Sequence, residues 1–187
     1  MIKYPMVWII FPIALVILIV ASWLLAKSDR LENKLLRSGF TAVGAIIGFF
    51  AFALPFFEQP SFHNTVLNYV IGVPLAVFGL IGRVYPMIYL RKRGTSTTLN
   101  EVTRIVDTGP YGIVRHPQYA GGILFGIGWF LIWGAIYCLY LVPLFVLLAI
   151  VQAFIEEKHI LEKEFGDEYR EYKKKVGMFF PKIRRRK

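Results

Sequence analysis

The sequence is poor in cysteine, histidine and acidic residues, and each shortage narrows the possible functions. Its single cysteine, Cys138, cannot form a disulfide within the chain, and no CxxC pair occurs. Three histidines and this cysteine show no metal-ligand spacing, so we expect no metal site. Asp and Glu number 12 against 22 Lys and Arg, which gives a net charge of +10. A disulfide-rich secreted domain and a metalloenzyme are therefore disfavoured.

Charge is also missing from long stretches of the chain. Hydrophobic residues make up 56% of the sequence and the mean hydropathy is +0.54, too apolar for an ordinary soluble domain. Several runs approach or exceed the roughly 20 apolar residues that cross a bilayer. The last run, Tyr119–Ile155, has 37 residues without a charge, and Gly134 and Pro143 lie around its middle. It therefore predicts a tight helical hairpin with a short first arm.

These runs predict an all-α integral membrane protein with about five transmembrane helices. The first three spans are Met6–Ala26, Ser38–Phe57 and Thr65–Leu90, and the hairpin supplies the last two. Small residues in the second span, at Gly39, Gly44 and Gly48, predict close contact with another helix.

The distribution of Lys and Arg predicts the orientation. The connection after the first span has four, the segment 91–118 has five and the tail from Glu156 has eleven, whereas the turn after the second span and the hairpin tip have none. The positive-inside rule then places the N-terminus outside and the C-terminus in the cytoplasm. The same rule and attraction to anionic lipids explain the positive charge without a nucleic-acid partner. Arg83, about two turns from the basic end of the third span, is predicted to reach the interface by snorkelling, and a functional role is the alternative.

A polar stretch before the hairpin, Asp107–Gly122, carries unusual chemistry for a connection. Pro117 predicts the first turn of a helix, whose free N–H groups and positive dipole end suit a carboxylate. Arg115 and His116 add donors just before it. The glycines after Pro117 would let a flat or bulky group approach the backbone.

A second polar stretch follows the hairpin. Glu156 and Glu157 are the first charges after the uncharged run, and the hairpin brings them near Arg115 and His116. A carboxylate opposite N–H donors suits a zwitterionic amino-acid ligand. The alternative is a salt bridge between Glu157 and Arg115 that only locks the hairpin. Lys158–Lys175 then predicts an amphipathic helix broken at Gly166, lying on the membrane surface or covering the site.

The sequence GPYGIVRHPQYAGG, the apolar hairpin and EEKHILEKEFGDEYREYKKKVGMFFPKI together resemble the isoprenylcysteine carboxyl methyltransferase family. Phospholipid N-methyltransferases form a related group. The resemblance covers roughly residues 95–183, about half of the chain. It implies S-adenosylmethionine as the cofactor, bound at the cytoplasmic end of the hairpin, and a lipophilic methyl acceptor. Residues 1–90 would form a three-span membrane scaffold and residues 91–187 the cofactor-binding core.

The resemblance, together with the zwitterion argument, gives a set of candidate site residues. The candidate catalytic residues are Arg115, His116 and Glu157. The candidate cofactor-binding residues are Thr103, Arg104, Ile105, Val106, Tyr111, His116, Pro117, Gln118, Tyr119, Gly121, Glu156 and Glu157. Aromatic rings near a sulfonium would add cation–π attraction.

One position departs from the isoprenylcysteine pattern. Those enzymes carry an arginine one turn before the binding glutamate, whereas this chain has Ala153 there. The acceptor is therefore left open between a prenylcysteine carboxylate, a phospholipid or other lipid amine, and a thiol. Two further alternatives are an NADPH-dependent membrane reductase, which shares a related C-terminal arrangement, and a non-enzymatic membrane protein.

Overall fold

The computed structural model describes residues 5–27, 46, 48–95 and 102–182, and this part of the chain is built from helices. Helix α1 spans Val7–Lys27. Residues 48–53 are helical and lead into a 3-10 turn at Leu54–Phe56. A π-helical turn, Val66–Ile71, continues into α2, Gly72–Arg91. Isolated bridges are the only β-type pairing among the described residues.

The remaining helices form the second half of the fold. A short helix α3, Pro110–Ile113, precedes α4, Pro117–Ile132, and α5, Ile136–Glu156. A second π-helical turn, Glu157–Leu161, joins α5 to α6, Glu162–Lys175.

The predicted hairpin is confirmed. Helices α4 and α5 are joined by a three-residue turn in which Gly134 has a φ of 58°. This left-handed conformation favours glycine, and a side chain there would also meet the carbonyl of Phe62. The first arm has 16 residues, as its short length in the sequence predicts. Pro143 lies within α5 rather than at the turn, so Gly134 alone marks the hairpin tip.

Two helices in the described part are long and apolar enough to cross a membrane. They are Val66–Arg91 and Ile136–Lys175, and the shorter apolar helices are Val7–Ala21 and Pro117–Ile132. Nearly half of the predicted second span, residues 38–45 and 47, lies outside the described residues. The five-span arrangement therefore stays a prediction, while the helical fold and two candidate spans are observed.

Helix α2 packs antiparallel against α4 through glycines. A side chain at Gly79 would collide with the backbone of Phe125, and one at Gly121 would collide with that of Gly82. Small residues let these two backbones approach closely, the usual mode of helix association in membranes. The prediction for the second span is not met at Gly48, where no described atom lies within 4 Å of an added Cβ, and Gly39 and Gly44 lie outside the described residues.

The two ends of the bundle are each closed by contacts between loops. At the hairpin tip, Phe62 donates to the carbonyl of Gly134, and Ile136 donates to that of Pro60. At the other end, the backbone amides of Arg115 and His116 donate to the carbonyls of Gly177 and Met178, at 2.8 and 3.1 Å. The chain that follows α6 is thereby held against the start of α4, where the candidate site lies.

Candidate cofactor and methyl-acceptor site

Local sequence fixes how the site residues are presented. His116 precedes α4 with a non-helical backbone, and Pro117 occupies the first turn, as predicted. Gly109 has a φ of 59°, and the space its missing side chain leaves is filled by the ring of Tyr89. Helix α5 continues without a break into the π-helical turn, so Glu156 ends α5 and Glu157 begins the turn.

Glu157 is the centre of a buried ionic cluster. Its Oε1 accepts from Arg115 Nε at 2.7 Å and its Oε2 from Arg115 Nη2 at 3.1 Å, a bidentate pair. His116 Nε2 lies 2.9 Å from Oε1, and Lys173 Nζ lies 3.3 Å from Oε2. The Glu157 side chain is only 2% exposed. The predicted approach of Arg115 and His116 to the glutamate pair is therefore confirmed.

This cluster sets the ionisation of Glu157. Burial raises the pKa of the carboxyl, but hydrogen bonds from His116 and Arg115 and the positive charge of Arg115 outweigh it and lower the pKa to about 2. An ionised carboxylate only accepts, so His116 Nε2 carries a proton and donates. In the neutral ring, Nδ1 then holds the lone pair. It lies 3.9 Å from Oε2 of Glu156.

Arg115 also ties the cluster to the C-terminal segment. Its Nη1 donates to the carbonyl of Val176 at 2.6 Å and to that of Lys173 at 3.3 Å. The salt bridge between Arg115 and Glu157 that the sequence offered as the alternative is present. It connects the start of α4, the π-helical turn and the end of α6. It leaves Arg115 with few donors for a ligand.

Glu156 has a different environment. Its Oε2 accepts from the Tyr119 hydroxyl at 3.1 Å, and within the described residues no Lys or Arg pairs with it. The residue is 9% exposed and borders a cavity between the start of α4, the segment 102–106 and α6. Among the described residues, Glu156 is the one carboxylate in the cavity wall. Glu157 is the residue that the resemblance assigns to the methionine part of the cofactor. In the structure Glu156 borders the cavity, whereas Glu157 is not in its wall and is bound to Arg115 and His116.

The cavity has about 530 Å³ of empty space, including the part open to solvent. Aromatic side chains form much of the wall, and the Tyr172 hydroxyl donates to the carbonyl of Tyr111 at 2.6 Å. The Tyr111 hydroxyl itself is buried and has no hydrogen-bond partner among the residues that the structure describes, and burial raises its pKa. A buried, protonated hydroxyl without a partner is costly unless a ligand accepts its hydrogen.

Eight of the predicted site residues line the cavity. They are Arg104, Ile105, Val106, Tyr111, Arg115, His116, Gln118 and Glu156. The cavity wall does not include Thr103, Pro117, Tyr119, Gly121 or Glu157.

The five other residues have supporting positions. Thr103 anchors its segment, because its amide donates to Thr95 Oγ1 and its hydroxyl to the carbonyl of Gly94. Pro117 starts α4, and Tyr119 holds Glu156. The expectation that Gly121 admits a ligand is not met, because its open side is filled by α2.

Several wall residues were not predicted as site residues. Leu161, Phe165, Tyr169 and Tyr172 belong to the predicted amphipathic helix, whose aromatic stripe indicates a covering role. Leu90, Thr95 and Val102 were missed. Leu90 ends an apolar span and Thr95 and Val102 lie in a polar connection, so no motif marks them.

Clusters of three or more His, Cys, Asp or Glu residues with metal-site geometry do not occur in the described ranges. Comparison with family models matches residues 67–168 to the phospholipid methyltransferase model, somewhat more than half of the chain. A comparison with curated proteins found no match.

Proposed function

Since the chain belongs to the phospholipid methyltransferase family, we propose that it is a membrane-embedded methyltransferase that uses S-adenosylmethionine and methylates a lipid amine. The family supports a membrane methyltransferase that acts on lipids, and its members generally use this cofactor. The observation that carries the proposal is the cavity. Glu156 and Tyr111 both line it, and the Tyr111 hydroxyl has no hydrogen-bond partner among the described residues. The Arg115–His116–Glu157 cluster lies beside the cavity. Residues 1–90 serve as the scaffold and residues 91–187 as the core.

The residues present fit the cofactor. Glu156 supplies a carboxylate for an ammonium group, and Arg104 supplies a cation for a carboxylate. Phe165, Tyr169 and Tyr172 provide aromatic surface for an adenine ring and a sulfonium. Tyr111 supplies a donor that lacks a partner in the described part of the chain. When bound, S-adenosylmethionine would supply an electrophilic methyl group.

We propose His116 as the group that takes the proton from an amine acceptor. His116 Nε2 donates to Glu157, and Arg115 in turn donates to Glu157. These hydrogen bonds fix the orientation of the imidazole ring and therefore the direction of its Nδ1 lone pair. A protonated amine has no lone pair and must lose a proton before it can attack the methyl group. The rest of the rate enhancement would come from proximity, orientation and exclusion of water.

A prenylcysteine carboxylate is the second candidate acceptor, supported by the sequence resemblance over residues 95–183. A carboxylate is already a nucleophile and needs no base. The buried Ala153 stands where the isoprenylcysteine enzymes carry an arginine for the substrate carboxylate. For this reason we propose the lipid amine, rather than the carboxylate, as the first candidate acceptor.

Methyl transfer from radiolabelled S-adenosylmethionine tests the proposal and separates the two acceptors. Nanodiscs would contain phosphatidylethanolamine or N-acetyl-farnesylcysteine, with NADPH consumption measured in parallel for the reductase alternative. We expect label in the amine lipid. His116→Gln keeps a donor for Glu157 but removes the Nδ1 lone pair, and it should lower kcat by about 100-fold or more. Label in farnesylcysteine alone, with kcat unchanged in His116→Gln, would overturn the amine and base assignments.

A further inference from the structure

Arg83 is an exposed cation within an apolar helix. It lies in α2, eight residues before Arg91, and hence about 12 Å from the basic end of that helix. Its neighbours on α2 include exposed apolar side chains such as Ile81 and Val84. In the part of the chain that the structure describes, no carboxylate forms an ion pair with Arg83. A charged side chain at such a position usually marks a functional site.

The packing of α2 on α4 places Arg83 beside the candidate site. Helix α4 has no side chains at Gly121 and Gly122, and a Cβ added at Gly122 would lie 2.9 Å from Arg83 Nη1. The guanidinium thus lies against the backbone of the second turn of α4. One turn earlier is Tyr119, close enough for the charge of Arg83 to act on its phenol.

Tyr119 separates this cation from the cavity carboxylate. Its hydroxyl donates to Glu156 at 3.1 Å, and Glu156 lines the cavity. Arg83 is exposed and lies against the second turn of α4, one turn beyond Gln118, which lines the cavity. A membrane-embedded molecule that reaches the cavity from this side passes the guanidinium first. The five donors of that group match a phosphate or carboxylate.

We propose that Arg83 binds the anionic group of the methyl acceptor, a phosphate or a carboxylate on a lipophilic chain, and so holds the acceptor at the mouth of the cavity. This inference rests on the proposed function, because it assigns the acceptor side of the same site. It makes Arg83 a residue that determines acceptor specificity and leaves cofactor binding to other residues.

Equilibrium binding of simple anionic amphiphiles tests the assignment. Dodecyl phosphate, dodecanoate and uncharged dodecanol would be titrated, as mole fraction in maltoside micelles, against the wild-type protein and three variants. The variants are Arg83→Gln, Arg83→Lys and Arg91→Gln. Arg91→Gln is the matched control, because it removes one exposed positive charge from the same helix away from Gly122. S-adenosylhomocysteine would be titrated into the same samples.

We expect saturable binding of an anionic amphiphile, weakened about tenfold or more in Arg83→Gln, as for the loss of a charge-assisted hydrogen bond. Arg83→Lys should weaken it less, and Arg91→Gln should leave it nearly unchanged. The phosphate and carboxylate arms show which anion is preferred. Equal weakening by Arg91→Gln, or binding that does not distinguish dodecanol, would overturn the assignment. Failure of S-adenosylhomocysteine to bind the wild type would count against the proposed function instead, and loss of that binding in Arg83→Gln alone would show that Arg83 serves the cofactor.

Discussion

Glu157 is the residue on which the electrostatics of the site depend. Two cations and a histidine donate to one buried carboxylate, and Arg115 Nη1 donates to carbonyls at the end of α6 and just after it. The sequence suggests that Glu157→Gln would weaken cofactor binding with little effect on folding. The structure changes that expectation, because the substitution leaves the buried Arg115 without its counter-charge.

We therefore predict that Glu157→Gln lowers the free energy of unfolding by about 3–5 kcal/mol, the usual cost of breaking a buried ion pair. Thermal unfolding in detergent measures it. Glu162→Gln is the control, because Glu162 also pairs with Lys173, at 2.6 Å, but lies nearer the surface, where such pairs contribute about 0–1 kcal/mol. Equal melting temperatures for the wild type and Glu157→Gln would contradict the central role of this residue.

The low pKa of Glu157 also predicts how stability depends on pH. The folded-state pKa of about 2 lies below the ordinary value of 4.5, so the contribution of this group is fully present above pH 4.5 and is lost as the pH falls toward about 2. Acid titration of the melting temperature should show a decline in this window that is smaller in Glu157→Gln. If the melting temperatures of the wild type and of Glu157→Gln declined equally, the decline would come from other carboxyl groups.

The pairing of the two polar stretches could be predicted from the sequence, but the division of labour between Glu156 and Glu157 could not. Adjacent helical residues point about 100° apart, and the π-helical turn that begins at Glu157 changes the rotation locally. Which carboxylate faces the cavity depends on that turn, and the turn has no signature in the sequence.

At the scale of the helices, the contact between α2 and α4 decides where the site can form. It fixes the start of α4 beside Leu90 and Thr95, which line the cavity. Glycine spacing in the second span predicted a close helix contact there, but no described atom lies within 4 Å of a Cβ added at Gly48, and Gly39 and Gly44 lie outside the described residues. Glycine spacing alone could not identify the contacting helices, since many helices in this sequence contain glycine.

We predict that Gly121→Ala disrupts this contact, because its Cβ would overlap the backbone of Gly82. Overpacking typically costs about 1–3 kcal/mol, and a collision with backbone belongs at the upper end. Gly126→Ala is the matched control on the same helix, with nothing within 4 Å of its Cβ. The melting temperature should fall in the first variant and hold or rise in the second. The opposite order would show that α2 and α4 do not pack this way.

At the scale of the whole molecule, each closed end of the bundle brings together connections that the sequence predicts to lie on one side of the membrane, and the orientation itself stays a prediction. The connections predicted to lie outside, near Pro60 and at the hairpin tip, hydrogen-bond to each other, and the two polar stretches predicted to be cytoplasmic meet at the candidate site. Hydropathy and charge were sufficient to predict this pairing of ends. The cavity wall itself could not be predicted, because Val102 and Leu90 come from separate parts of the chain that only the tertiary fold brings together.

Labelling with a membrane-impermeant maleimide tests the orientation. We predict that Glu58→Cys reacts in intact cells, whereas Lys182→Cys reacts only after the membrane is opened; both side chains are exposed. The wild type is the control, because the native Cys138 is 0% exposed and should stay unlabelled. The reverse pattern would invert the topology.

The central claim is that the cavity binds S-adenosylmethionine, and a calorimetric titration of S-adenosylhomocysteine into the purified protein tests it most directly. We predict saturable one-to-one binding that is weakened by Glu156→Gln and, by about three- to tenfold, by Tyr111→Phe, which removes a single hydrogen bond. Tyr111→Phe should not lower the melting temperature without ligand, since the Tyr111 hydroxyl has no partner among the described residues. The claim would be contradicted if the folded wild type gave no saturable heat with S-adenosylhomocysteine, or if both variants bound it as tightly as the wild type.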